Sequence, residues 1–178
     1  MNMKKQFPPM DLLVQAGTDA AEKKTRRLDR LYHLTQTHAW DGKATLAALI
    51  DKHGPPGKGM PEEIRAPLSR LLTVLMWGEL AAWNISADLA LGIDDVDAKM
   101  AATGQVFDEA RHFTVLRDYV MALGPTPELG ALPRALLRKV LDAPTLAKKL
   151  VGMQLLFETN AVVIFRGIAE SNVCPILT

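Results

Sequence analysis

Apolar positions crowd into three long runs. The densest, Leu71-Leu-Thr-Val-Leu-Met-Trp-Gly-Glu-Leu-Ala-Ala-Trp83, is apolar on nearly every side and carries Glu79 in its middle. A helix apolar all round is expected at the centre of a fold. This one is predicted from Pro61 to about Leu91, opened by Pro61-Glu62-Glu63 and closed by Gly92. The second run is capped by Asp94 or Asp95, continues to about Leu123 and stops at Gly124-Pro125. The third is expected as one helix from Pro144 to about Ser171, with Glu158 on a stripe with Leu155, Val162 and Phe165. Gln154 is the one other polar residue close to Glu158.

Shorter patterns surround these runs. Residues 1–17 are punctuated by Pro and Gly and read as an irregular arm. Helices are predicted from about Thr18 to His38 and from Lys43 to His53, with a break at Trp40 and Asp41. A short helix, Pro133 to Leu141, lies within the connection 126–142. No strand pattern and no internal repeat is visible, so the fold class is all-α. Gly54-Pro-Pro-Gly-Lys-Gly59 is a loop. It lacks the upstream glycine and the Ser or Thr of a phosphate loop, and no strand precedes it, so it is not expected to bind a nucleotide.

Composition narrows the function classes. The chain has 178 residues, 48% hydrophobic and 23% charged, as an ordinary globular domain does. A net charge of +1 leaves no basic excess for nucleic acid. The basic cluster Lys23 to Arg27 is interleaved with Glu22 and Asp29, as on a solvated helix face. Cys174 is alone, so no intrachain disulfide can form. The N-terminus lacks the apolar region of a signal peptide, and no 18-residue window is apolar and free of charge. A cytoplasmic protein with no membrane segment is the expectation.

The chemistry is in the carboxylates. A buried, unpaired carboxylate must be neutralised, paired or bound to a metal. Glu79 and Glu158 each stand in an apolar helix. The second long helix contains Glu109-Ala-Arg-His112, whose spacing of three puts an oxygen and a nitrogen donor on one face. Arg111 and Arg166 are the alternative partners for such carboxylates. Three anomalies on three consecutive long helices favour a metal site made of Glu79, Glu109, His112 and Glu158. Carboxylates with imidazole suit iron or manganese. His33, His38 and His53 read as surface or packing residues.

This pattern resembles the ferritin-like di-iron carboxylate superfamily, in which two helices each give a Glu and two others each give Glu-x-x-His. Glu79, Glu109-x-x-His112 and Glu158 match the first four of six ligands, at separations of 30 and 49 residues. The resemblance covers residues 61–171 and divides the chain into an N-terminal arm with accessory helices, 1–60, and a partial di-metal core, 61–178. It is strongest to the ribonucleotide-reductase-small-subunit-like and oxygenase-like branches. It implies two iron ions, or manganese, with Glu79 and His112 as terminal ligands and Glu109 and Glu158 bridging. It also implies an O2-activating oxidase or oxygenase that acts on a small organic substrate and draws on a separate electron donor. The alternative it implies is iron handling, ferroxidation or peroxide detoxification. Leu116 stands where reductase small subunits carry a radical tyrosine, and Trp83 and Tyr119 are expected to be core residues.

The departure is the fourth helix. Only 20 residues follow Glu158, and Glu170 has no His three positions on. The four-helix core is thus expected to be incomplete, with three core helices present. Its fourth wall would come from further sequence or a partner chain, and self-association as a homodimer is expected.

Overall fold

The computed structural model describes residues 19–178, and these form helices and loops with no strand. The helices are α1 (Asp19–Thr37), α2 (Gly42–His53), α3 (Glu62–Gly92), α4 (Val96–Leu123), α5 (Ala131–Leu141), α6 (Leu146–Val151) and α7 (Thr159–Ser171). The all-α expectation holds for the described residues. The proposed irregular arm and the Thr18 helix start lie outside them.

Local chemistry accounts for most of the boundaries. The Asp41 side chain accepts from the Ala44 N–H at 2.9 Å and starts α2. Of the two candidate caps for α4 it is Asp95 that accepts from the Ala98 N–H, also at 2.9 Å. Thr145 does the same for α6. The loop before α3 turns tightly through Gly57 and Gly59, at φ 74° and 73°, a conformation that favours glycine.

Helices α3 and α4 form an antiparallel hairpin. Near one end Glu62 and Leu123 meet through Arg65, whose Nη1 donates to the Leu123 carbonyl at 3.2 Å while its other nitrogens reach Glu62. Helix α1 lies along α4, where Gly104 allows close approach. A Cβ there would stand 2.8 Å from Thr35 Oγ1. Two apolar clusters fill the interior. One joins Leu68, Leu72, Leu75 and Met76 of α3 to Leu116, Tyr119, Val120 and Leu123 of α4, with Ile168 and Cys174. The other gathers Ala82, Ile85, Leu89 and Met153. Each large side chain fully buried here stabilises by roughly 1.5–3 kcal/mol. Glu79 falls between the two clusters along α3.

Three expectations need correcting. The last helix is not one regular α-helix: a π-helix, Gly152–Glu158, separates α6 from α7. Its i→i+5 bonding shifts the register before Glu158, so the 3.6 period does not carry Leu155 onto the Glu158 stripe, whereas Val162 and Phe165 follow in regular α7. Leu155, Val162 and Phe165 are exposed, while Met153 is fully buried against Ser86. Helix α3 is not buried all round, since Leu71 and Trp77 face outward. Finally, Leu146–Ser171 is long and apolar enough to cross a membrane by length and composition, with an 18-residue window of mean hydropathy 1.2 that is only 17% buried. The demand for a charge-free window missed it, because between Lys149 and Glu170 only Glu158 and Arg166 are charged.

Candidate metal centre

Helices α3 and α4 present Glu79, Glu109 and His112 to one another. One donor atom from each lies within 4.8 Å of the other two. His112 Nδ1 is 3.6 Å from Glu79 Oε2 and 3.6 Å from Glu109 Oε2. Glu109 is 4% exposed, and Glu79 is nearly as enclosed. His112 keeps about two-fifths of its side-chain surface open, 44%.

Glu158, at the end of the π-helix, faces Glu109 but lies outside this three-residue group. Burial, followed by the charge of Glu109, pushes its carboxyl up to about 7. Burial also raises Glu109, against the pull of His112. The neighbouring carboxylates of Glu109 and then Glu79, which the His112 ring N–H faces, raise the imidazole to about 10. Three carboxylates therefore share one compensating side chain.

Neither alternative partner pairs with these carboxylates. Arg111 pairs with Asp108 and stacks on Trp40 and Phe107, its guanidinium carbon 5.2 and 5.4 Å from the ring centroids. Arg166 is exposed. Among the described residues no lysine or arginine pairs with Glu79, Glu109 or Glu158. A cluster of carboxylate oxygens with one imidazole and no lysine or arginine partner fits a divalent ion such as iron or manganese, which would take over the compensation that protonated His112 gives.

Two glutamines extend the cluster. Gln105 Nε2 donates to Glu109 Oε1 at 3.1 Å, and Gln154 Nε2 donates to Gln105 Oε1 at 3.2 Å. This relay links the π-helix to the most buried carboxylate. The sequence marks Gln154 only as a lone polar residue near Glu158. Its pairing with Gln105 depends on how the π-helix faces α4.

The remaining residues singled out in the sequence have other tasks. Trp83 packs against Phe113 with ring centroids 6.2 Å apart. Tyr119, buried in the first cluster, donates its hydroxyl to Cys174 Sγ at 3.1 Å. His33 lies 3.3 Å from Asp29 on the surface of α1, and His38 and His53 are exposed. Comparison of this chain with protein-family models, with curated proteins and with solved structures finds no match.

Proposed function

We propose that Glu79, Glu109, His112 and Glu158 hold a carboxylate-bridged pair of iron or manganese ions, and that the chain is a ferritin-like, O2-dependent oxidase or oxygenase of a small organic substrate. The observation that carries this reading is the convergence of Glu79, Glu109 and His112 from two helices within 4.8 Å, with no lysine or arginine of the described residues paired to the carboxylates. When bound, a redox-active ion pair supplies the reduction of O2. The chain supplies the rest. Glu109, whose carboxyl is close to those of Glu79 and Glu158, would be the carboxylate common to the ions. Gln105 holds one of those oxygens in orientation. His112 must give up its extra proton before its nitrogen can act as a ligand, so metal uptake releases protons.

The proposal includes a cytoplasmic setting, consistent with the free thiol of Cys174. It also includes a homodimer, for the apolar outer face of α7 described below, and an unidentified electron donor. A second reading, iron handling without an organic substrate, is favoured by the solvent-open side chain of His112, which gives ions a way in. Anaerobic loading with Fe(II), then O2 uptake with and without added small organic molecules, tests both. Uptake coupled to substrate supports the oxygenase reading, and substrate-independent uptake supports iron handling. A protein that retains no iron contradicts both.

A further inference from the structure

A cavity of about 250 Å3 lies between α3, α5 and the π-helix with α7. Its walls are apolar: Val74, Leu75 and Ala82 on one side, Leu136 and Leu137 of α5 on another, Phe157 and Ile164 on the third. Glu79 and Glu158 also line it. Asn160, the remaining polar side chain, donates its amide to the Leu156 carbonyl at 2.5 Å.

Gly78, one residue before Glu79, opens this space. Glycine inside a helix costs about 1 kcal/mol relative to alanine. At Gly104 and Gly152 a close neighbour accounts for it, since a Cβ would stand 2.8 Å from Thr35 and 2.7 Å from Val140. At Gly78, as at Gly167 in α7, a Cβ would meet nothing within 4 Å, so no packing contact among the described residues requires the glycine. What its missing side chain does provide is room in the cavity wall.

We propose that this cavity is the substrate chamber of the metal centre and takes a small, uncharged, apolar molecule such as a monocyclic aromatic or a short-chain hydrocarbon. The assignment of the chamber to a metal centre rests on the function proposed above. The size fits: an apolar cavity of about 150 Å3 holds benzene. A packed helix does not fit, because one turn of a helix 10–12 Å across fills roughly 500 Å3. Charged substrates are disfavoured by the chemistry of the wall. Anions face two carboxylates, and with both carboxylates committed to metal a cation has no partner.

Fluorobenzene is the probe, followed by 19F NMR on the metal-free full chain and again after Mn(II) addition, with Mn(II) binding read separately by electron paramagnetic resonance. Saturable binding is expected, weakened at least tenfold by Gly78→Leu and by Leu136→Trp on the opposite wall. Circular dichroism verifies that each variant is folded. Bound Mn(II) is expected to accelerate relaxation of the bound probe. Absence of saturable binding, or binding indifferent to both variants, overturns the proposal. So does a dimer that Gly78→Leu disrupts while the probe stays unbound, which assigns the face to a second copy. If Mn(II) binds yet leaves the bound probe unaffected, the chamber does not belong to the metal centre. If Mn(II) does not bind but the probe does, with the same sensitivity to the variants, the metal reading fails and the binding cavity stands.

Discussion

His112 and Glu158 tie the candidate centre to pH in a way that metal should reverse. Both are raised in the fold, Glu158 to about 7 and His112 to about 10, so the folded chain favours their protonated forms. The contribution of Glu158 is fully present below about 4.5 and lost as pH rises through 7. That of His112 is present below about 6.5 and lost as pH rises through 10. The metal-free protein should therefore lose thermal stability steadily from pH 5 to pH 9. The increment given by Mn(II) should grow over the same range, because ligands bind deprotonated. Calorimetry across that series checks both trends, and a flat metal-free profile would count against the coupling of these side chains. Glu158→Gln separates the cost of the cluster from its use. Removing the charge facing Glu109 should raise the metal-free melting temperature at pH 8 and sharply reduce metal loading. A fall of a few kcal/mol in stability would instead reveal a lost ion pair. Glu79, Glu109 and His112 could be singled out in the sequence because a carboxylate in an apolar helix and a spacing of three are visible there. The Gln105–Gln154 relay was not, since it depends on the relative rotation of two helices.

The π-helix is the element on which the placement of Glu158 depends. Gly152 begins it against α5, where a Cβ would stand 2.7 Å from Val140 Cγ1 and the β-branched side chain has little freedom to yield. Gly152→Ala should cost about 1–3 kcal/mol by overpacking. Adding Val140→Ala should recover part of that loss, which urea denaturation of the single and double variants would reveal; additive losses would mean that the contact does not set this junction. Most helix boundaries were legible because Asp41, Asp95 and Gly92 mark them chemically. The π-helix was not, because no residue type demands it and a 3.6 period was assumed for the whole run. That assumption misplaced only Leu155 relative to Glu158, since Val162 and Phe165 lie in regular α-helix beyond the π-helix.

At the scale of the molecule, α7 presents an apolar surface. Val162 and Val163 are 56% and 65% exposed, and Phe165 lies beside them. Surfaces of this kind are normally covered by another molecule. The 178-residue chain should self-associate through it, and Val163→Glu should shift light-scattering masses towards the monomer. A wild-type monomer at high micromolar concentration would remove α7 as an interface. The same open face bears on metal affinity, because four protein ligands offset ion dehydration less well than six, and binding should be weak or partial. The all-helical class was legible in the sequence from helix periodicity and the absence of strand patterns. The packing of α1 on α4 was not, since it rests on the small profile of Gly104 beneath Thr35. The central claim, that Glu79, Glu109, His112 and Glu158 are metal ligands, is tested most directly by the melting temperature under anaerobic Fe(II) titration. Elemental analysis of the same samples, for wild type and for Glu109→Gln and His112→Ala, accompanies it. A saturable rise in the wild type that both variants abolish, with bound iron falling in parallel, is the predicted result. No rise, or an equal rise in all three proteins, would contradict the claim.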